Sequence, residues 1–277
     1  MSRFTCTGKG GVSRRRILQI GAAVATGLLT AVSLRAGNTF FNKTSGVWNN
    51  SANWDTGLLP TANDSAYVGY TSKTNPATVF LHAGDSCVAS NLYLGQNGAA
   101  ASGILVMDGG TLTLTKMTVS DNSGTGVVMQ TGGVIVEDSF AAGSNTRGFP
   151  SWIITGAGTV VSNLSTNAAS YFPYRGSGSG AQLVISNNAT MIGGAISLAQ
   201  QSGGTCTMTI ASGGLLKGLT GDLVVGNGGV DLGRFDVERD VPGPGRDLHR
   251  CGVHLCGNQG DPACGGEGID VHHPVIP

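Results

Sequence analysis

The side chains able to do acid chemistry in the centre of this sequence are Asp55, Asp64, Asp85, Asp108, Asp121, Glu137, Asp138 and Asp222. Hydrolysis of a glycosidic bond takes two carboxyl groups facing each other across that bond. Only Glu137 and Asp138 are adjacent, and neighbours on a strand point to opposite faces, so they do not form such a pair. His82 stands alone and reads as a packed or solvated histidine. Gly226-Asn227-Gly228-Gly229-Val230-Asp231 has its glycines out of phase with a calcium-binding nonapeptide and occurs once. His249-x-Cys251-x2-His254-x-Cys256, with Cys264, His272 and His273 beyond, offers zinc-type ligands. It lacks the Cys-x2-Cys spacing and a periodic apolar frame. Cys87 and Cys206 are isolated and read as small buried hydrophobes. The sequence therefore predicts no catalytic residue, no cofactor and no metal site: not an enzyme. One pair remains with binding chemistry, Trp48 and Trp54, a candidate ligand-stacking platform whose rings could equally cover the apolar end of a fold.

The elements that would position these residues are short. Doublets recur at Gly109-Gly110, Gly132-Gly133 and Gly213-Gly214, with Ala157-Gly158 and Asn187-Asn188 in equivalent places, at intervals of 23, 25, 30 and 26 residues. Each is preceded by an apolar run (Ile104–Met107, Val127–Met129, Trp152–Ile154, Leu183–Ile185, Met208–Ile210) and followed by another. Asn91–Gly98 and Asp222–Gly229 repeat a third landmark. Strands this short cannot bury a face alone, but coils stacked about 4.8 Å apart can. Gly and Asn suit the corners because they accept positive φ. The expected fold is all-β, a right-handed parallel β-helix (β-solenoid) of Gly-punctuated coils of about 23–30 residues, with disordered termini. Tyr171–Gly176 reads as a loop leaving the coil.

The chain is neutral only because unlike segments cancel. Residues 1–36 hold six basic and no acidic groups, and residues 37–230 hold six Lys/Arg against eight Asp/Glu. That is too sparse for a phosphate-binding surface, so nucleic acid is not expected as a partner. Arg14-Arg15-Arg16-Ile17-Leu18 precedes a mildly apolar run, Ile20 to Leu34, ending in Arg35-Ala36-Gly37. This resembles a twin-arginine signal peptide, with Arg14, Arg15, Ile17 and Leu18 as the export signal. The run falls short of the roughly 20 apolar residues that cross a bilayer, so contact with the membrane is expected only during export.

Between these segments, Gly46-Val47-Trp48, Ala52-Asn53-Trp54-Asp55, Leu59-Pro60 and Asp64-Ser65-Ala66-Tyr67 lead into the Gly-punctuated strands. This order resembles the bacterial autotransporter-associated β-strand repeat and PEP-CTERM-type secreted proteins, over residues 46 to about 230. The resemblance implies a solenoid whose first coil or cap is the Trp-containing segment.

The expected layout is a signal peptide (1–36), a Trp-containing first coil or cap (37–79), solenoid repeats (80–230) and an aberrant, disordered tail (231–277). The tail holds eight acidic and four basic groups, four of the five His and five of the nine Pro. A frameshift would explain it, because Asp, His and Asn codons read from their second base all become Thr, Ile or Met. A coil ending at Val230 would leave an open end favouring end-to-end self-association. The expected function is an exported, non-catalytic structural or surface-interaction solenoid, at the cell surface or extracellular, read as a fragment of a longer surface protein. An extracellular polysaccharide or another surface protein is the candidate partner. The rival readings are a carbohydrate-binding module and a degenerate β-helix polysaccharide lyase or hydrolase.

Overall fold

The computed structural model describes residues 36–143, 148–164, 170–172, 180–193, 196–198, 205–211, 213–218, 223–225, 232–238 and 250–256. All belong to the compact unit Arg35–Pro277. The export-signal residues lie outside the described residues.

The described residues form nineteen strands and one 3-10 turn, Ser51–Asn53. In chain order the strands are β1 (Asn38–Phe40), β2 (Ser45–Val47), β3 (Ser65–Tyr70), β4 (Ala77–Leu81), β5 (Ser86–Gln96), β6 (Ser102–Val119), β7 (Thr125–Glu137), β8 (Ser139–Ala142), β9 (Phe149–Thr155) and β10 (Val160–Asn163). There follow β11 (Ser170–Phe172), β12 (Gly180–Ser186), β13 (Thr190–Gly193), β14 (Ile196–Leu198), β15 (Thr205–Ile210), β16 (Leu215–Gly218), β17 (Leu223–Val225), β18 (Leu232–Glu238) and β19 (Arg250–Cys256). Every strand pairs in parallel with its counterpart one coil away, except β18 with β19. The result is the expected β-solenoid, of about six turns.

Three walls close each coil. The first stacks β2, β4, the start of β6, the start of β7, β9, β12, β15 and β18. The second runs from the start of β5 through the later parts of β6 and β7 to β10, β13 and β16. The third stacks β1, β3, the end of β5, the end of β6, β8, β11, β14 and β17. Period-two alternation turns one row of each wall inward. On the first wall that row is Val79, Leu105, Val128, Trp152, Leu183 and Met208, all fully buried. On the second it is Cys87, Leu112, Ile135, Val161 and Met191; on the third, Val68, Leu94, Val119, Ala142, Phe172 and Leu198. Each Val, Leu, Ile, Phe or Met in these rows contributes about 1.5–3 kcal/mol by leaving water, so the stack stabilises itself coil by coil.

The glycine spacing has two physical causes. At the corner between first and second walls, Gly110, Gly133, Gly158, Asn188 and Gly213 take positive φ, as the doublets predict. At the corner between third and first walls the backbones nearly touch. A Cβ on Gly95 would lie 1.9 Å from the Thr125 carbonyl oxygen, and one on Gly103 2.1 Å from that of Val68.

One expectation is corrected. Ser170–Phe172 is not the start of a loop but a strand of the third wall, with Phe172 buried; residues 173–179 lie outside the described residues. Beyond Val230 the described residues include two strands, Leu232–Glu238 and Arg250–Cys256. β18 continues the first wall on β15, opposing Phe235 to Met208 and Val237 to Ile210, and β19 returns antiparallel along it. Leu232–Glu238 alternates apolar or Gly positions with Arg234, Asp236 and Glu238, the period a wall strand needs. The rest of the tail lies outside the described residues.

Candidate functional site

Trp48 and Trp54 are each 1% exposed. Their centroids lie 5.0 Å apart at 67°, Phe41 closes on Trp54 at 5.3 Å, and Trp54 Nε1 donates to the Trp48 carbonyl at 2.9 Å. No ring face is offered to solvent, so the ligand-stacking role expected of this pair is corrected: the rings pack inside the first coil. The Trp54 indole N–H is satisfied there, as a buried indole requires.

The acids of the body hold backbone and neighbours. Asp55 accepts from the Phe40 amide at 2.8 Å and pairs with Lys73 at 3.4 Å. Asp64 accepts from the Gly37 and Thr61 amides and the Thr61 hydroxyl. Burial raises its pKa, but these three bonds outweigh that and leave it below the ordinary carboxylate value. Asp85 accepts from the His82 amide and Asn49. Asp108 lies 2.9 Å from His82 Nδ1, both exposed, so His82 is not alone. Burial pushes the Cys87 and Cys206 thiols up, Cys87 to about 12 with the Asp85 charge adding to it, which keeps them protonated and unreactive.

Glu137 differs. Sequence adjacency to Asp138 pointed to opposite faces, and the inward one is Glu137: fully buried, opposite Asn163 on the second wall, with neither carboxylate oxygen hydrogen-bonded. Burial, then the Asp138 charge, pushes its pKa up to about 8. Its position two residues after inward Ile135 was the signal available in the sequence. Nearby, Asn163 Nδ2 donates to the Ser170 hydroxyl, and both residues are fully buried.

The outer walls carry two further features. On the first wall the outward row is apolar through six successive coils, with Val47, Phe80, Val106, Met129, Ile153 and Val184 in lateral register. Val47 is 36% and Met129 43% exposed, and the other four are half-buried. Ile104 and Val127 form part of the neighbouring row.

On the third wall Phe40, Tyr67 and Tyr93 form an outward column. Phe40 stacks on Tyr67 at 4.8 Å, and Tyr67 on Tyr93 at 4.7 Å with planes 8° apart. Gly69 and Gly95, both at positive φ, turn the chain after this column and bring Tyr70 and Gln96 into register. Tyr70 stands across the column, at 61° to Phe40 and 76° to Tyr67. Between them lies an open cleft of about 120 Å³ lined by Asn38, Phe40, Tyr67, Tyr70, Gln96 and Asn97. No sequence reading singled these residues out, because they come from three different coils.

Of the tail's candidate metal ligands, Cys251, His254 and Cys256 fall on β19, and His249, Cys264, His272 and His273 lie outside the described residues. Among the described residues no helix is long and apolar enough to cross a membrane. No family model, curated protein or solved structure matches the chain.

Proposed function

We propose that this chain is an exported, non-catalytic structural solenoid that works by surface interaction, packing side by side through its first wall against a second copy. The observation that carries this reading is the outward apolar row from Val47 to Val184. A solenoid wall facing only water has no physical need of six apolar side chains in line, and such stripes mark interaction sites. Six strands at about 4.8 Å by five residues at about 3.3 Å give a flat face of about 500 Å² per copy. A pair would bury about 1,000 Å², the lower edge of specific interfaces, so association is weak and concentration-dependent. A flat sheet face is also self-complementary, since two such faces pack about 10 Å apart. The non-catalytic part of the reading is supported by the acids, since Asp55, Asp64 and Asp85 are each engaged by backbone amides. Export is supported by the twin-arginine-like segment.

Sedimentation velocity over a concentration series tests the packing. The wild-type chain should move from monomer to dimer in the micromolar range, and Val106→Lys or Met129→Lys should abolish this with the circular dichroism unchanged. A wild type that stays monomeric, or a lysine variant that still associates, overturns it.

A further inference from the structure

We infer that the third-wall cleft between the Phe40–Tyr67–Tyr93 column and Tyr70 binds a sugar unit of a neutral glycan. Its size fits. About 120 Å³ corresponds to about four waters at about 30 Å³ each, room for one side of a sugar ring in a cleft open to solvent. Its chemistry fits more closely. The column's ring faces are largely spent on one another, so the rings present C–H edges and phenol oxygens to the cleft, while Tyr70 supplies an aromatic surface turned across them. The polar lining is neutral: the carboxamides of Asn38, Gln96 and Asn97 and two phenols.

These groups are only part-engaged. Tyr67 donates to Asn38 Oδ1 over a long 3.4 Å and Asn97 Nδ2 donates to the Tyr70 oxygen at 3.1 Å, whereas Gln96 Oε1, though without a partner, is buried away from solvent. A carboxamide offers a donor and an acceptor side by side, which suits the paired hydroxyls of a sugar, and an aromatic flank suits its C–H face. The one cation nearby among the described residues is engaged, and the Asp121 carboxylate leaves a negative charge beside the cleft. Lys73 pairs with Asp55 at 3.4 Å and sits 5.0 Å from the Phe40 ring centre, and Asp121 accepts from Gln96 Nε2 at 2.9 Å. The cleft therefore favours an uncharged polyhydroxylated ligand over an anionic one. Three successive coils contribute to it, so the ligand reads the stacking of the solenoid itself. The site is on a different wall from the apolar row and does not depend on it.

Affinity electrophoresis of the full chain through gels containing xylan, mannan, hydroxyethylcellulose or glycol chitin tests the inference, with polygalacturonate as the anionic arm. At least one neutral glycan should retard the protein. Tyr70→Ala and Asn38→Ala should each weaken that retention at least tenfold, and Tyr70→Phe less, all at unchanged melting temperature. Val106→Lys, which removes side-by-side packing, should leave retention intact. Retention by polygalacturonate alone, by no glycan, or undiminished in Tyr70→Ala overturns the inference. Loss of retention in Val106→Lys would overturn it too, by tying binding to the dimer.

Discussion

Replacing Glu137 by Gln should stabilise this protein at neutral and alkaline pH and leave it unchanged in acid. The carboxyl is fully buried without a hydrogen-bond partner, and its pKa stands at about 8 against an ordinary 4.5. Burial is the main cause, and the neighbouring Asp138 charge adds to it. Between those two values the folded protein keeps a proton that the unfolded chain has released. Stability therefore falls as pH rises through that window and levels off above about 8. Each pH step of one is worth about 1.4 kcal/mol, so carrying the acid costs about 3 kcal/mol at pH 7 and about 5 kcal/mol above pH 8. Against a net stability of about 5–15 kcal/mol for a folded domain, that is a large fraction.

Glutamine keeps the shape and removes the titration. At pH 4 the protonated acid and the amide suffer the same shortage of partners, so wild type and variant should match. Urea unfolding at pH 4, 6 and 8 measures the difference, and taking variant minus wild type cancels the other titrating groups. Parallel pH dependences, or a variant less stable than wild type at pH 8, would refute the placement of Glu137 inside the coil.

Trp54→Ala should cost about 3–5 kcal/mol, the range for a buried aromatic, and lower the melting temperature steeply; a variant as stable as wild type would return the ring to the surface. Arg14→Lys with Arg15→Lys should hold the protein in the cytoplasm when cell fractions are blotted, whereas undiminished export would refute the twin-arginine reading. Deleting residues 231–277 removes β18 and β19 and bares the edge of β15, an unpaired ladder that invites a neighbour. In a Val106→Lys background, which silences the first wall, the truncated chain should form end-to-end oligomers by light scattering while the full chain does not.

The solenoid was legible because its two demands leave marks on a linear sequence. A corner needs positive φ or room for two backbones in contact, which only a few residues tolerate, so Gly109-Gly110 and Gly132-Gly133 announce the coil length directly. A wall needs alternation, which Thr111-Leu112-Thr113-Leu114 displays. Lateral register is another matter. Whether Tyr67 lies over Tyr93, or Phe80 over Val106, depends on how many residues each intervening corner consumes, and those numbers vary from coil to coil. The cleft and the apolar row exist only once that register is set. The tryptophans left two readings open, cover of the first coil or a stacking platform, for a related reason: Trp48 and Trp54 sit in a segment of turns and single bridges, where no period tells inside from outside.

The tail shows the same logic in reverse. Its prolines, histidines and mixed charge argue against strands when averaged over the whole segment, yet a wall strand needs only seven well-ordered residues. Leu232–Glu238 places Gly233, Phe235 and Val237 opposite inward Cys206, Met208 and Ile210. A composition count over 47 residues dilutes that signal, and a window matched to one strand recovers it. Arg250–Cys256 then pairs antiparallel along the edge that β18 would otherwise leave open, which blunts a ladder that would invite a neighbour.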